Sequence, residues 1–215
     1  GAGKTTLVRA LLEGLDPAQV VAAQVANTQL DSGELLRAIC LAFGVPAAAS
    51  KAQRYCIVIS GRSPLDREID EIAGAVRSIK QEIPIQICCS LGLMNEQQAR
   101  RLKAAGVDRV NHNLNTSEAF HSSICTTHTF QDRLSTIRSA RAAGLEICSG
   151  GIVGMGEKDE DLIDLAMALR EVSPDSIPLN MLHPATGTPL ENCDNLTPQR
   201  CLKVLCLFRF LHPRT

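Results

Sequence analysis

Two sets of residues in this 215-residue sequence carry chemistry by type and spacing. The first is Gly1-Ala2-Gly3-Lys4-Thr5-Thr6, which fits the end of the Walker A pattern G-x-x-x-x-G-K-[ST]. There, backbone N–H groups at a helix start cradle phosphates, the lysine reaches the outer phosphates and the threonine hydroxyl holds Mg²⁺. Gly3, Lys4 and Thr5 are therefore candidates for binding ATP with magnesium, although the first glycine of the pattern is not in the sequence. A glycine-rich helix start with a solvated lysine fits the same residues. The second set is Cys56, Cys88 and Cys148, each in the middle of a different apolar run. Strand positions that point into a barrel can converge, as an iron-sulfur cluster with thiolate ligands requires. The competing reading is three small hydrophobes in a core, the usual state of a buried cysteine.

The elements that must position these residues change character along the chain. Residues 1–50 read as a helix (5–14), an apolar run (20–26) and a second helix (33–43), followed by the small-residue stretch 45–50. Residues 51–53 read as a seam. From Arg54 onward, β-rich runs at 55–60, 85–91, 109–114, 145–153 and 177–182 alternate with amphipathic helices, which predicts consecutive βα units and a parallel sheet. Helix starts are expected at Ser63 before Pro64, at Asn95 with Gln98, and at Thr197 before Pro198. Leu162, Leu165, Ala166 and Leu169 form one stripe of a helix over 160–172. The expected fold class is α/β: a partial TIM-type (β/α) barrel of about five βα units, preceded by a fragment of a P-loop α/β domain.

Composition narrows the function classes. Hydrophobic residues make up 45% and charged residues 21%, an ordinary globular balance, and the net charge of -1 leaves no electrostatic footprint for nucleic acid or an anionic membrane. No apolar run reaches the roughly 18 residues of a spanning helix, so the cytoplasm is the expected location. Nine cysteines without regular close spacing fit reduced thiols or metal ligands better than a disulfide scaffold. The sequence opens on Gly inside a motif, so its true start is expected upstream.

The runs Leu7-Val8-Arg9-Ala10-Leu11-Leu12 and Leu35-Leu36-Arg37-Ala38-Ile39-Cys40, with the GKTT tetrapeptide, resemble the AAA-type ATPases of secretion and exopolysaccharide export over about 50 residues. No Walker B strand, sensor or arginine finger follows, so a working ATPase is not expected.

Residues 54–215 resemble the biotin synthases, a family of radical S-adenosylmethionine enzymes. The resemblance rests on Asn111-His112-Asn113-Leu114-Asn115-Thr116-Ser117, on the stretch 147–157 with its Cys148-Ser149-Gly150-Gly151-Ile152-Val153-Gly154, and on Asn180-Met181-Leu182 with Gly187-Thr188-Pro189-Leu190. The runs 125–133 and 58–62 add to it. It implies conversion of dethiobiotin to biotin by sulfur insertion, with S-adenosylmethionine, a 4Fe-4S cluster and a 2Fe-2S cluster as cofactors, in a homodimer. By position it makes Cys56, Cys88 and Cys148 ligands of the two-iron cluster, with Cys89 the natural registration error. It assigns Gly150, Ile152, Gly154 and Glu157 to the adenine loop, Asn115 to the ribose and Arg133 to the methionyl carboxylate. Asn113 and Asn180 would hold the ureido ring of dethiobiotin.

The family's radical cluster is bound by C-x-x-x-C-x-x-C, and no such spacing occurs in the sequence. The sequence also ends before the strand that supplies the two-iron cluster's arginine ligand in that family. This chain is therefore expected to be inert by itself. A junction between unrelated genes near residues 47–54, a merged gene model, and a non-catalytic barrel that binds S-adenosylmethionine or iron are the alternatives that follow.

Overall fold

The structure, a computed structural model, describes residues 53–193 and 196–215. The phosphate-loop residues Gly3, Lys4 and Thr5, the helices expected at 5–14 and 33–43, the apolar run 20–26 and most of the seam lie outside the described residues.

Strands and helices alternate from the first described residues onward: β1 (Arg54–Val58), α1 (Asp66–Glu82), β2 (Gln86–Ser90), α2 (Glu96–Ala105), β3 (Arg109–Asn111), α3 (Glu118–Ile124), α4 (Phe130–Ala142), β4 (Glu146–Cys148), β5 (Gly151–Val153), α5 (Asp159–Val172), β6 (Leu179–Met181) and α6 (Pro198–Leu211). Strands β1 to β4 form one parallel sheet in chain order, and β5 pairs in parallel with β6. Bridges from Asn115 to Gly151 and from Cys148 to Ser176 join the two sheets into one curved surface. Five βα units follow one another in parallel order along this arc, an α/β architecture.

The strand expected over 145–153 is instead two short strands. The chain breaks pairing at Ser149-Gly150, where the Gly150 carbonyl accepts from the Asn115 N–H and the Ser149 N–H donates to Ser176. A Cβ on Gly150 would overlap the Pro178 carbonyl oxygen, so only glycine lets the backbones approach this closely.

The helices cover one face of this arc, and their apolar stripes make the core. Ile69, Ile72, Ala73, Val76 and Ile79 of α1 pack with Ile87 and Cys89 of β2, and Leu162, Leu165, Ala166 and Leu169 of α5 with Val153. Two of the three expected caps form: Asn95 accepts from the Gln98 N–H while Gln98 reaches back to the Asn95 N–H, and Thr197 accepts from Arg200. The third differs. Helix α1 is capped at Leu65, whose N–H donates to Glu68, while the Ser63 hydroxyl donates to the Leu93 carbonyl, 2.8 Å away. Among the described residues no helix is long and apolar enough to cross a membrane.

Candidate functional site

Alternation along the strands separates the cysteines. In β1, Tyr55 and Ile57 are buried toward the helices while Arg54, Cys56 and Val58 face the concave side. Cys56 stands in register with Cys88 on β2, which puts Cys88 on the concave side and leaves Cys89, fully buried, among the helices. Cys148 shares the concave side, paired with Asn111 across β3. All eight cysteines among the described residues are free thiols.

The thiols interact. Cys88 hydrogen-bonds the Cys56 sulfur, which pulls the Cys56 thiol below its ordinary range and pushes that of Cys88 far up. Burial raises Cys148, whose sulfur bonds the Ser176 hydroxyl at 3.7 Å, and the charge of Cys88 opposes its ionisation further. Two arginines face this cluster. Arg109, beside Cys88 in register, is fixed by Glu146 at 2.7 and 3.0 Å, and Arg54 by Gln86 at 2.7 Å. Both favour thiolates on the concave face. Three thiols on one face offer the sulfur ligands that an iron-sulfur cluster takes as thiolates.

A second group of residues gathers at the C-terminal ends of the strands, where barrel enzymes build their sites. Asn113 Oδ1 accepts from the Gly150 N–H at 3.0 Å, and Arg133 Nη1 donates to the Asn113 carbonyl at 2.8 Å. Asn115 adopts φ +73°, which a short amide side chain tolerates, and its carbonyl accepts from the Ile152 N–H. Gly154, at φ +100°, lies against Leu196, 2.5 Å from where a Cβ would be. The buried Glu157 carboxylate accepts from the Gly154 and Met155 N–H groups at 2.7 Å each, so it shapes this loop. Ile152 pairs in register with Asn180, which is exposed on β6.

Several buried polar atoms here have no protein partner: Asn111 Oδ1, Arg133 Nε and Ser149 Oγ. Leaving such atoms unpaired costs about 1–3 kcal/mol each, and a polar ligand satisfies them. Arg133 is held below its ordinary pKa range by burial, which a bound carboxylate would reverse.

Sequence reading gave no role to His121, Cys125 and His128, whose ligand atoms all lie within 4.8 Å of one another. The spacing H-x-x-x-C-x-x-H is the signal that could have found them.

The Radical SAM superfamily model matches residues 45–169, and the Biotin and Thiamin Synthesis associated domain model matches residues 178–215. The chain is 53% identical over 175 residues to the biotin synthase of Sulfurihydrogenibium sp. (strain YO3AOP1), covering 81% of this chain and 53% of that protein. It is 56% identical over 160 residues to that of Macrococcus caseolyticus (strain JCSC5402), covering 74% and 48%. Against the biotin synthase of Bacillus subtilis (strain 168) it is 54% identical over 159 residues, again covering 74% and 48%. The chain thus spans about half the length of the curated relatives it matches. Among solved structures, methylornithine synthase superposes with a TM-score of 0.73 at 20% identity, covering 89% of this chain and 56% of that one. The maturase of the [FeFe]-hydrogenase superposes at 0.69 and 16%, covering 86% and 44%. These two likenesses concern the fold.

Proposed function

The chain belongs to the radical S-adenosylmethionine superfamily, and within it we propose that residues 54–215 form the cofactor- and substrate-binding half of a biotin synthase, with dethiobiotin as substrate. The observation that carries this reading is the shared concave face of Cys56, Cys88 and Cys148, since the superfamily match alone would fit many other chemistries. These three thiols would hold a two-iron cluster. Held there, a two-iron cluster would supply sulfur, while the hydrogen-abstracting radical would come from S-adenosylmethionine at a four-iron cluster whose C-x-x-x-C-x-x-C ligands this sequence does not contain.

The chain's own residues then bind and orient. Arg133 offers a planar fork to the methionyl carboxylate, pre-aimed by its Nη1 bond to the Asn113 carbonyl. The glycines at 150 and 154 let the backbone approach a flat adenine ring, Ile152 packs on it, and Asn115 meets the ribose. Glu157 acts in this loop as a positioning residue. Because Asn113 Oδ1 is taken by Gly150, its amide N–H₂ is what remains to donate to the ureido carbonyl, while Asn180 is left to engage the ureido N–H groups.

The sequence holds no C-x-x-x-C-x-x-C, so this polypeptide alone is expected to bind these molecules without turning them over. A second copy of the chain is the partner this reading implies. For residues 1–50 the phosphate-loop reading of Gly3, Lys4 and Thr5 stands as a separate proposal, tested by Mg²⁺-ATP affinity lost in Lys4→Ala.

Calorimetry on the full chain tests the main reading. Saturable binding of S-adenosylmethionine, weakened at least about tenfold by Arg133→Gln, and binding of dethiobiotin weakened by Asn180→Ala support it. No saturable binding of either at millimolar concentration contradicts it.

A further inference from the structure

The turn between α3 and α4 holds a cluster that the biotin synthase reading does not use. His121 lies in α3, Cys125 caps that helix and His128 sits just before α4. The Cys125 sulfur is 3.5 Å from His128 Nδ1 and 3.6 Å from Nε2. The imidazoles of His121 and His128 meet edge to face at 5.6 Å between centroids. The three side chains line an open pocket of about 410 Å³ that also includes Arg62, Glu118 and Asp132.

We propose that His121, Cys125 and His128 form a zinc site that pins the end of α3 to the start of α4. The geometry supports it first. Tetrahedral zinc with Zn–S about 2.3 Å and Zn–N about 2.0–2.1 Å places sulfur and nitrogen roughly 3.5 Å apart, the spacing found between Cys125 and His128. An independent observation concerns His121. It is only 3% exposed, yet its Nε2 has no hydrogen-bond partner, an arrangement costly for a core histidine and ordinary for a metal ligand. A third feature is orientation. Thr127 Oγ1 lies 2.9 Å from His128 Nδ1, so Nδ1–H can donate to the hydroxyl and present Nε2 to a metal, as partners behind metal-bound histidines do.

Two imidazoles and one thiolate favour zinc among abundant divalent ions, with a water from the pocket completing the tetrahedron. A metal here would stiffen the 125–129 turn and, through the first turn of α4, the position of Arg133.

Cobalt(II) is the probe, because a bound thiolate gives it a near-ultraviolet charge-transfer band that zinc(II) then abolishes by displacement. With the full chain free of iron, about one cobalt per chain should give this band. Cys125→Ser should remove the band, and His128→Gln should weaken binding at least about 100-fold, since loss of a mere orienting partner costs 10–100-fold. Thr127→Val should cost about tenfold with the fold intact by circular dichroism. The combined Cys56→Ser, Cys88→Ser and Cys148→Ser substitutions should leave the band in place. Absence of the band from the parent chain, its persistence in Cys125→Ser, or unchanged affinity in His128→Gln overturns the site. Because the concave-face cysteines are tested separately, this outcome is independent of the biotin synthase reading.

Discussion

Glu157 holds two backbone N–H groups with one buried carboxylate, and each such charge-assisted bond is worth about 1.5–3 kcal/mol. Glu157→Ala, which removes both, should therefore lower stability by about 3–6 kcal/mol in denaturant titration. It should also abolish S-adenosylmethionine binding, because Gly154 and Met155 lose the contact that shapes the loop. Unchanged S-adenosylmethionine affinity in a folded Glu157→Ala protein would remove this loop from the site. His112 makes a pH prediction. Burial, and then the charges of Arg133 and His128, lower it to about 3 from an unfolded value near 6.5. Between those values the unfolded chain binds a proton that the folded chain does not. Stability must therefore fall as pH drops through this window, by up to about 1.4 kcal/mol per unit from this group. Thermal melts from pH 7 to 4.5 should show a shallower loss in His112→Gln than in the parent chain.

At the scale of elements, the strand runs, the helix over 160–172 and the helices that start at Asn95 and Thr197 were legible because apolar periodicity switches between two and 3.6 and because Asn95 and Thr197 are strong start signals, whereas α3, α4 and the split of 145–153 were not. Ser63 misled for a reason the sequence does not show. Its hydroxyl is taken by the Leu93 carbonyl, a contact 30 residues away. The same limit hid the His121 pairing, since helix α3 and the turn after it only acquire meaning once they close on each other. Choosing between Cys88 and Cys89 was also beyond an unbroken apolar run. The register with Cys56 makes that choice, because alternation in β1 is clean. The break between β4 and β5 carries its own prediction. Gly150→Ala forces a methyl group onto the Pro178 carbonyl, so it should cost about 3 kcal/mol or more and expose the β5–β6 pair to hydrogen exchange. Gly61→Ala, with open space around it, should cost little and serves as the control.

As a whole, the described arc has a helix-covered side packed with aliphatic residues and a concave side bearing cysteines, arginines and amides. Val58 on β1 (59%) and Phe210 on α6 (83%) are exposed apolar side chains. The central claim, that the concave face is a two-iron site, is tested most directly by anaerobic reconstitution with iron and sulfide on the full chain, followed by iron counting and visible absorption. We predict about two iron atoms per chain in the parent protein, in Cys89→Ala and in Cys125→Ser, and loss of cluster absorption in Cys56→Ala, Cys88→Ala and Cys148→Ala. Equal iron in all of these proteins, or retention in Cys88→Ala with loss in Cys89→Ala, would contradict it.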